Sequence, residues 1–223
     1  MKLYQWDRID EIPKKKPGIY AWYYSPEITD RDIEKMTGLI QSSQISEEAA
    51  MSELHEEVKS FLHERIFKYF QEEPYEAYLK GPLKPQYSGQ IEHLQVLTNN
   101  LIERIIRNPS RLTTIRQIIE ASCPLFASPI YIGMSKTLGQ RVSKHKSLIK
   151  QIREKSTINY QREINHAEEQ GKKDQSFALQ VCRRKLIPTR LSVAATVMEV
   201  SDREYVDVEN ILNRVCYPVL GRN

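Results

Sequence analysis

The chain carries only three cysteines, Cys123, Cys182 and Cys216, odd in number, far apart and without a C-x-x-C pair. That excludes a disulfide framework and argues against a zinc site; they read as buried small hydrophobes in a reducing compartment. The chain also lacks any apolar run near the ~20 residues that a membrane-spanning helix needs. Its start, MKLYQWDRIDEIPKKK, contains no apolar segment of the signal-peptide kind. The expected location is therefore cytoplasmic, with no membrane partner. There is no internal repeat and no low-complexity tract. Hydrophobic content of 40% and charged content of 28% are ordinary for a globular chain, and 223 residues allow one domain or two small ones.

Net charge is only +4, but it is unevenly spread. Residues 131–223 hold 17 Lys and Arg against 10 Asp and Glu, whereas residues 1–130 hold 16 against 19. The basic excess includes Lys144, Lys146, Lys150 and Arg153, then Lys172, Lys173, Arg183, Arg184 and Lys185. Such a half suits a polyphosphate backbone.

The densest stretch is 129–145, PIYIGMSKTLGQRVSKH. Ile130, Tyr131 and Ile132 follow a proline and are β-branched or aromatic, so a strand is expected, ended by Gly133. Thr137 and Gln140 have capping-box spacing, which predicts a helix from about Thr137. On it Arg141 and His145 are four apart and share a face. Earlier, Gly18-Ile19-Tyr20-Ala21-Trp22-Tyr23-Tyr24 alternates with a period of two after Pro17, a second strand. Leu191 to Val200 is a third. Ser201 and Glu204 form another capping-box pattern, so a helix follows over 201–215; Glu209 lies inside it, beside an apolar line of Tyr205, Val208, Leu212 and Val215. Residues 137–155 form the other flanking helix, and 156–171 read as helical. Phe177, Leu179 and Val181 alternate like a strand.

Between the first two strands, residues 25–44 read as polar loop and 75–89 as a Pro- and Gly-containing loop. Three amphipathic helices are expected: from Ser46 to about Tyr69, from Ile91 to Ile105, and from Ser110 onward. His55, His63 and His93 lie here without metal-ligand spacing.

Taken in order, Gly18-Ile19-Tyr20, then Tyr131-Ile132-Gly133, Arg141 ten residues later, His145 four beyond, and Glu209 on a late helix followed by Pro218 and Asn223, resemble the GIY-YIG nuclease family. The resemblance covers 17–24 and 129–223, a little under half the chain. It departs from the family in separating the two triplets by residues 21–130. It implies a metal-dependent endonuclease that hydrolyses phosphodiester bonds in DNA, restriction-type or repair-type, with one Mg²⁺ or Mn²⁺. Tyr20, Tyr131, Arg141, His145 and Glu209 would be catalytic, with Gly18, Gly133 and Asn223 supporting the site. As the acid of that set, Glu209 would hold the metal. Arg141 would bind phosphate through its planar fork. Tyr20 is favoured as base, with Tyr131 or His145 orienting water, provided a cation lies near enough to stabilise a phenolate. Lys144, Lys146, Lys172, Lys173, Arg183, Arg184 and Lys185 would contact nucleic acid.

The expected architecture is α/β (α+β): a small three-stranded mixed or antiparallel sheet flanked by helices, formed by 1–24 and 129–223, with 25–128 as a large helical insertion. With no further recognition domain expected after Asn223, the helices of 46–120 are expected to supply DNA contacts or a homodimer face. RNA is an open alternative to DNA as partner, since a basic surface does not distinguish the sugar. The alternative function is a non-catalytic nucleic-acid-binding or protein-interaction module on the same scaffold.

Overall fold

The computed structural model describes residues 1–43, 48–80, 86–92, 97–124, 126–155, 157–198 and 202–220. The chain divides into two compact units, 1–26 with 119–223 and 27–118. In chain order, β1 (Lys2–Gln5), a 3-10 turn (Trp6–Glu11) and β2 (Gly18–Tyr24) open the first unit.

The second unit follows. It holds α1 (Asp30–Ser42), α2 (Glu48–Arg65), β3 (Tyr75–Lys80), β4 (Gln86–Ile91), α3 (Asn99–Arg107) and most of α4 (Arg111–Ser122). The sequence reading of three helices is incomplete here. The polar stretch after Ser25 is largely α1, started by a reciprocal Thr29–Asp32 capping box. Its apolar stripe is narrow, with only Met36 and Ile40 buried, which is why it resembled a loop. Tyr75–Lys80 and Gln86–Ile91 pair as antiparallel strands where a loop was expected. Pro82 and Pro85 lie outside the described residues. Ile91 pairs with Tyr75 and so ends β4 instead of starting a helix. Tyr75, Leu79, Tyr87 and Ile91 share one face of this hairpin and are all exposed.

The first unit resumes with β5 (Tyr131–Ser135), α5 (Leu138–Arg153), α6 (Tyr160–Glu169), α7 (Lys173–Arg183), β6 (Leu191–Val197) and α8 (Asp202–Cys216). Its sheet is antiparallel with order β1-β6-β2-β5. The sheet is four-stranded, not three, because the short β1 adds to the β6 edge. The 177–181 stretch is helix α7, not a strand. Ser176, Phe177, Ala178, Leu179, Val181 and Cys182 are all buried, and a helix buried almost all round shows no 3.6-residue stripe.

Central strand β2 alternates cleanly, burying Gly18, Tyr20, Trp22 and Tyr24. Helix α5 packs against α7, and α6 against α7. Thr137 is the residue before α5, but its side chain makes no cap bond. The first amides of α5 are met instead by backbone: Leu138 N donates to Lys16 O and Gly139 N to Pro13 O. This contact demands glycine, since a Cβ at 139 would lie 2.3 Å from Ile12 O. Gly18 is fixed for a similar reason, with Thr196 O 2.2 Å from where its Cβ would be. No helix among the described residues is long and apolar enough to cross a membrane.

Gly139→Ala is expected to lower the unfolding free energy by about 1–3 kcal/mol, the usual cost of overpacking. Gly38→Ala in α1, where a Cβ meets nothing within 4 Å, is expected to add about 0.5–1 kcal/mol. Urea midpoints check both; equal effects would contradict the close approach at Gly139.

Candidate active site

The first unit gathers its aromatic and ionisable side chains beneath β2 and β5. Tyr20 and Tyr131 stand on neighbouring antiparallel strands, with Tyr20 paired to Gly133. Their ring centroids are 6.2 Å apart. Gly133 is obligatory for this arrangement, because a Cβ there would lie 2.6 Å from Tyr20 Oη. The two glycine triplets thus interlock physically: the glycine of one makes room for the phenol of the other.

His145, on the inner face of α5, is fully buried among rings. Tyr20, Tyr131, Trp22 and Phe177 have centroids 5.7, 5.6, 6.1 and 4.9 Å from its own. Trp22 Nε1 donates to His145 Nδ1 at 3.2 Å. An indole N–H can only donate, so Nδ1 is the unprotonated nitrogen and Nε2 carries the hydrogen. Nε2 donates to Asp174 Oδ1 at 2.9 Å. His145 is consequently a neutral imidazole of one tautomer, and burial holds its pKa below the ordinary value. Both ring nitrogens are engaged, which leaves none for water or substrate.

Asp174, in the first turn of α7, is the acid that sequence reading missed. It is 8% exposed and collects three partners: His145, Lys144 Nζ at 2.9 Å and Arg141 Nε at 2.5 Å. The Arg141 contact is an ion pair by distance, with the N–H not aligned on the oxygen. Burial alone would raise the Asp174 carboxyl; the His145 hydrogen bond, Lys144 and Arg141 outweigh it and hold it well below the usual carboxylate range. No local motif announces this residue, because its partners lie on a different helix.

A cleft of about 500 Å³ opens between β5, α7 and α8. Tyr131, Phe177, Lys173, Glu209, Asn213 and Arg214 stand in its wall. Glu209 is half-buried, and burial pushes its carboxyl up, with the charges of Lys173 and Arg141 pulling the other way. Among the described residues it accepts no hydrogen bond and makes no ion pair. Glu168, the other acid in the wall, accepts from Ser176 Oγ at 2.8 Å. Asn213 follows Glu209 by one helical turn on the same face, and its Oδ1 is buried without a partner. The apolar line expected beside Glu209 is only partly covered, since Val215 is exposed.

Of the expected catalytic residues, Tyr131 and Glu209 line the cleft. Arg141, its side chain 34% exposed, stands beside it, near enough for its charge to act on Tyr20, Tyr131 and Glu209. Tyr20, favoured from the sequence as base, is only 1% exposed and lies behind Tyr131. Its Oη is buried without an aligned hydrogen bond. Burial, and then the neighbouring Tyr131, push its phenol well up, more than Arg141 pulls it down; Tyr131 is raised by burial too, again against Arg141. Asn223 lies outside the described residues.

The expected nucleic-acid contacts lie on α5 and along or just past α7. Lys144 is paired to Asp174, and Lys146 Nζ to Asp10 at 2.6 Å. Lys172 and Lys173 sit at the start of α7 and Arg183, Arg184 and Lys185 at its end, about 16 Å away at 1.5 Å per residue. Arg183 donates to Gln161 at 2.6 Å. Among the described residues the cations in the cleft wall are Lys173 and Arg214, the latter absent from the sequence-based set. No cluster of three His, Cys, Asp or Glu able to hold a metal occurs among the described residues. No family model, curated protein or solved structure matches the chain.

His145 gives the stability a pH dependence of known sign. Unfolded, it regains a pKa near 6.5; folded, it sits lower. As pH falls below about 6.5 the unfolded chain takes up the proton first, so stability is complete above that pH and declines below it. Asp174 adds a later loss, its contribution being present above about pH 3.9 and eroding below. The urea midpoint is expected to fall from about pH 6.5 downward, with the His145 Cε1–H resonance titrating below that pH. A His145 resonance titrating near 6.5 would contradict the locked neutral tautomer.

Proposed function

We propose that this protein is a metal-dependent endonuclease of the GIY-YIG type that hydrolyses phosphodiester bonds in DNA. The observation that supports this most is convergence. Residues chosen for their order alone, from β2, β5, α5 and α8, come together at one cleft and the ring cluster behind it.

The donor set fits a single hard cation. Glu209 is an uncommitted carboxylate in the cleft wall, and Mg²⁺ commonly takes one or two carboxylates, with water and phosphate completing its shell. One Mg²⁺ or Mn²⁺ held there would supply positive charge to a bound phosphate and acidify a water. Arg141 would meet the phosphate oxygens with the Nη groups of its guanidinium, its Nε being the atom that lies against Asp174. In a partly buried site that charge acts at low effective dielectric and so counts for more than at the surface. Tyr131, which lines the cleft, would orient the attacking water. Tyr20, behind it, would brace that phenol, and His145 would lock both rings rather than carry protons. Lys173 and Arg214 would hold neighbouring phosphates, and Asn213 would brace Glu209 in the manner expected of Asn223.

The test is cleavage of supercoiled plasmid with Mg²⁺ or Mn²⁺ and an EDTA control. Nicked or linear products are expected, with the rate lowered about 100-fold or more in Glu209→Ala, the scale on which losing one charge-stabilising group acts. Cleavage undiminished in Glu209→Ala would overturn the site. Absence of cleavage on plasmid, single-stranded DNA and RNA, with salt-dependent binding intact, would favour a non-catalytic binding module.

A further inference from the structure

We infer that Asp174 is a positioning residue for the cleavage reaction, holding the Arg141 guanidinium by its Nε edge so that its charge stays beside Tyr131 and Glu209. This rests on the nuclease reading above and adds to it a residue that the expected motif does not contain.

The geometry carries the inference. Asp174 is almost wholly buried, and a buried carboxylate is costly unless it is paired and hydrogen-bonded. Its buried or part-buried partners are Arg141 and His145, four residues apart on one face of α5. Lys144, 61% exposed, adds little to the hold. His145 is itself fixed from the other side by Trp22. A chain therefore runs from the centre of the sheet outward, Trp22 to His145 to Asp174 to Arg141, and each link restrains the next. A flexible arginine loses much side-chain entropy on binding an anion. One tethered at Nε keeps its Nη groups for the ligand with part of that loss already met. Asp174 would act through Arg141 rather than on the phosphate itself.

Two measurements test this. The first is a double-mutant cycle under single-turnover conditions. Asp174→Asn keeps an oxygen for His145 Nε2–H but removes the charge that holds the guanidinium. In the wild-type background it is expected to lower kcat about 10- to 100-fold, the range seen for groups that orient an active-site residue, with KM changed less than about twofold. In the Arg141→Ala background the same substitution is expected to change the rate less than about twofold, because residues acting as a unit are not additive. The same factor in both backgrounds, or no effect in either, would overturn the positioning role while leaving the nuclease reading standing. A wild type that cuts nothing would overturn both. The second measurement needs neither catalysis nor a stable variant. The Arg141 Nε–H order parameter in the wild type is expected near the rigid value of about 0.85, and a value below about 0.6 would contradict the tether.

Discussion

The site depends on one buried hydrogen-bonded pair, His145 Nε2 to Asp174 Oδ1 at 2.9 Å. It joins α5 to α7 beneath the sheet, and Trp22 on β2 completes it through the other imidazole nitrogen. Because indole can only donate, the pair has one tautomer and one charge state. The ring stack around it follows: Tyr20 and Tyr131 meet the imidazole edge-on, and Phe177 closes on both Tyr131 and His145. Removing either partner would leave a buried polar group unmatched, which costs more than the bond itself contributes. The same carboxylate then holds Arg141, so the packing of the core and the placement of a charged group share a single anchor.

The division of labour among the tyrosines follows from depth. Tyr20 lies on the central strand and is sealed; Tyr131 lies on the edge strand β5 and reaches the cleft. Gly133 is the geometric condition for both, since any side chain there would occupy the space of the Tyr20 hydroxyl. Burial raises both phenols against the pull of Arg141, so at neutral pH they are hydrogen-bonding groups rather than bases. In the proposed reaction Arg141 and Lys173 would deliver positive charge, with a cation on Glu209 if one is held there, and the tyrosines would supply orientation.

Much of the first unit was legible in the sequence. Strands β2, β5 and β6 carry β-branched and aromatic runs, and helices α5 and α8 follow β5 and β6 in the chain as expected; the Ser201 capping position lies outside the described residues. The candidate residues Tyr131, Arg141, His145 and Glu209 stood out by order and spacing. What escaped was non-local. Asp174 is joined to His145 from another helix, in a segment whose apolar alternation imitated a strand. The role of His145 could not be read without Trp22, 123 residues away. The start of α5 resembled a capping box, yet Lys16 and Pro13 carbonyls cap it from the preceding loop. In the second unit, α1 was missed because two buried residues make a faint stripe. The β3–β4 hairpin was missed because the prolines and glycines of 75–89 read as loop text, which hid the strand runs beside them.

The central claim is that the cleft beside Glu209 is the metal-dependent centre. Anomalous diffraction from crystals soaked in Mn²⁺ tests it most directly. The account predicts one manganese peak in the cleft, about 2.0–2.2 Å from a Glu209 carboxylate oxygen, as expected for a small hard divalent ion. A cleft without manganese at saturating concentration, or a peak held by other residues away from Glu209, would contradict it.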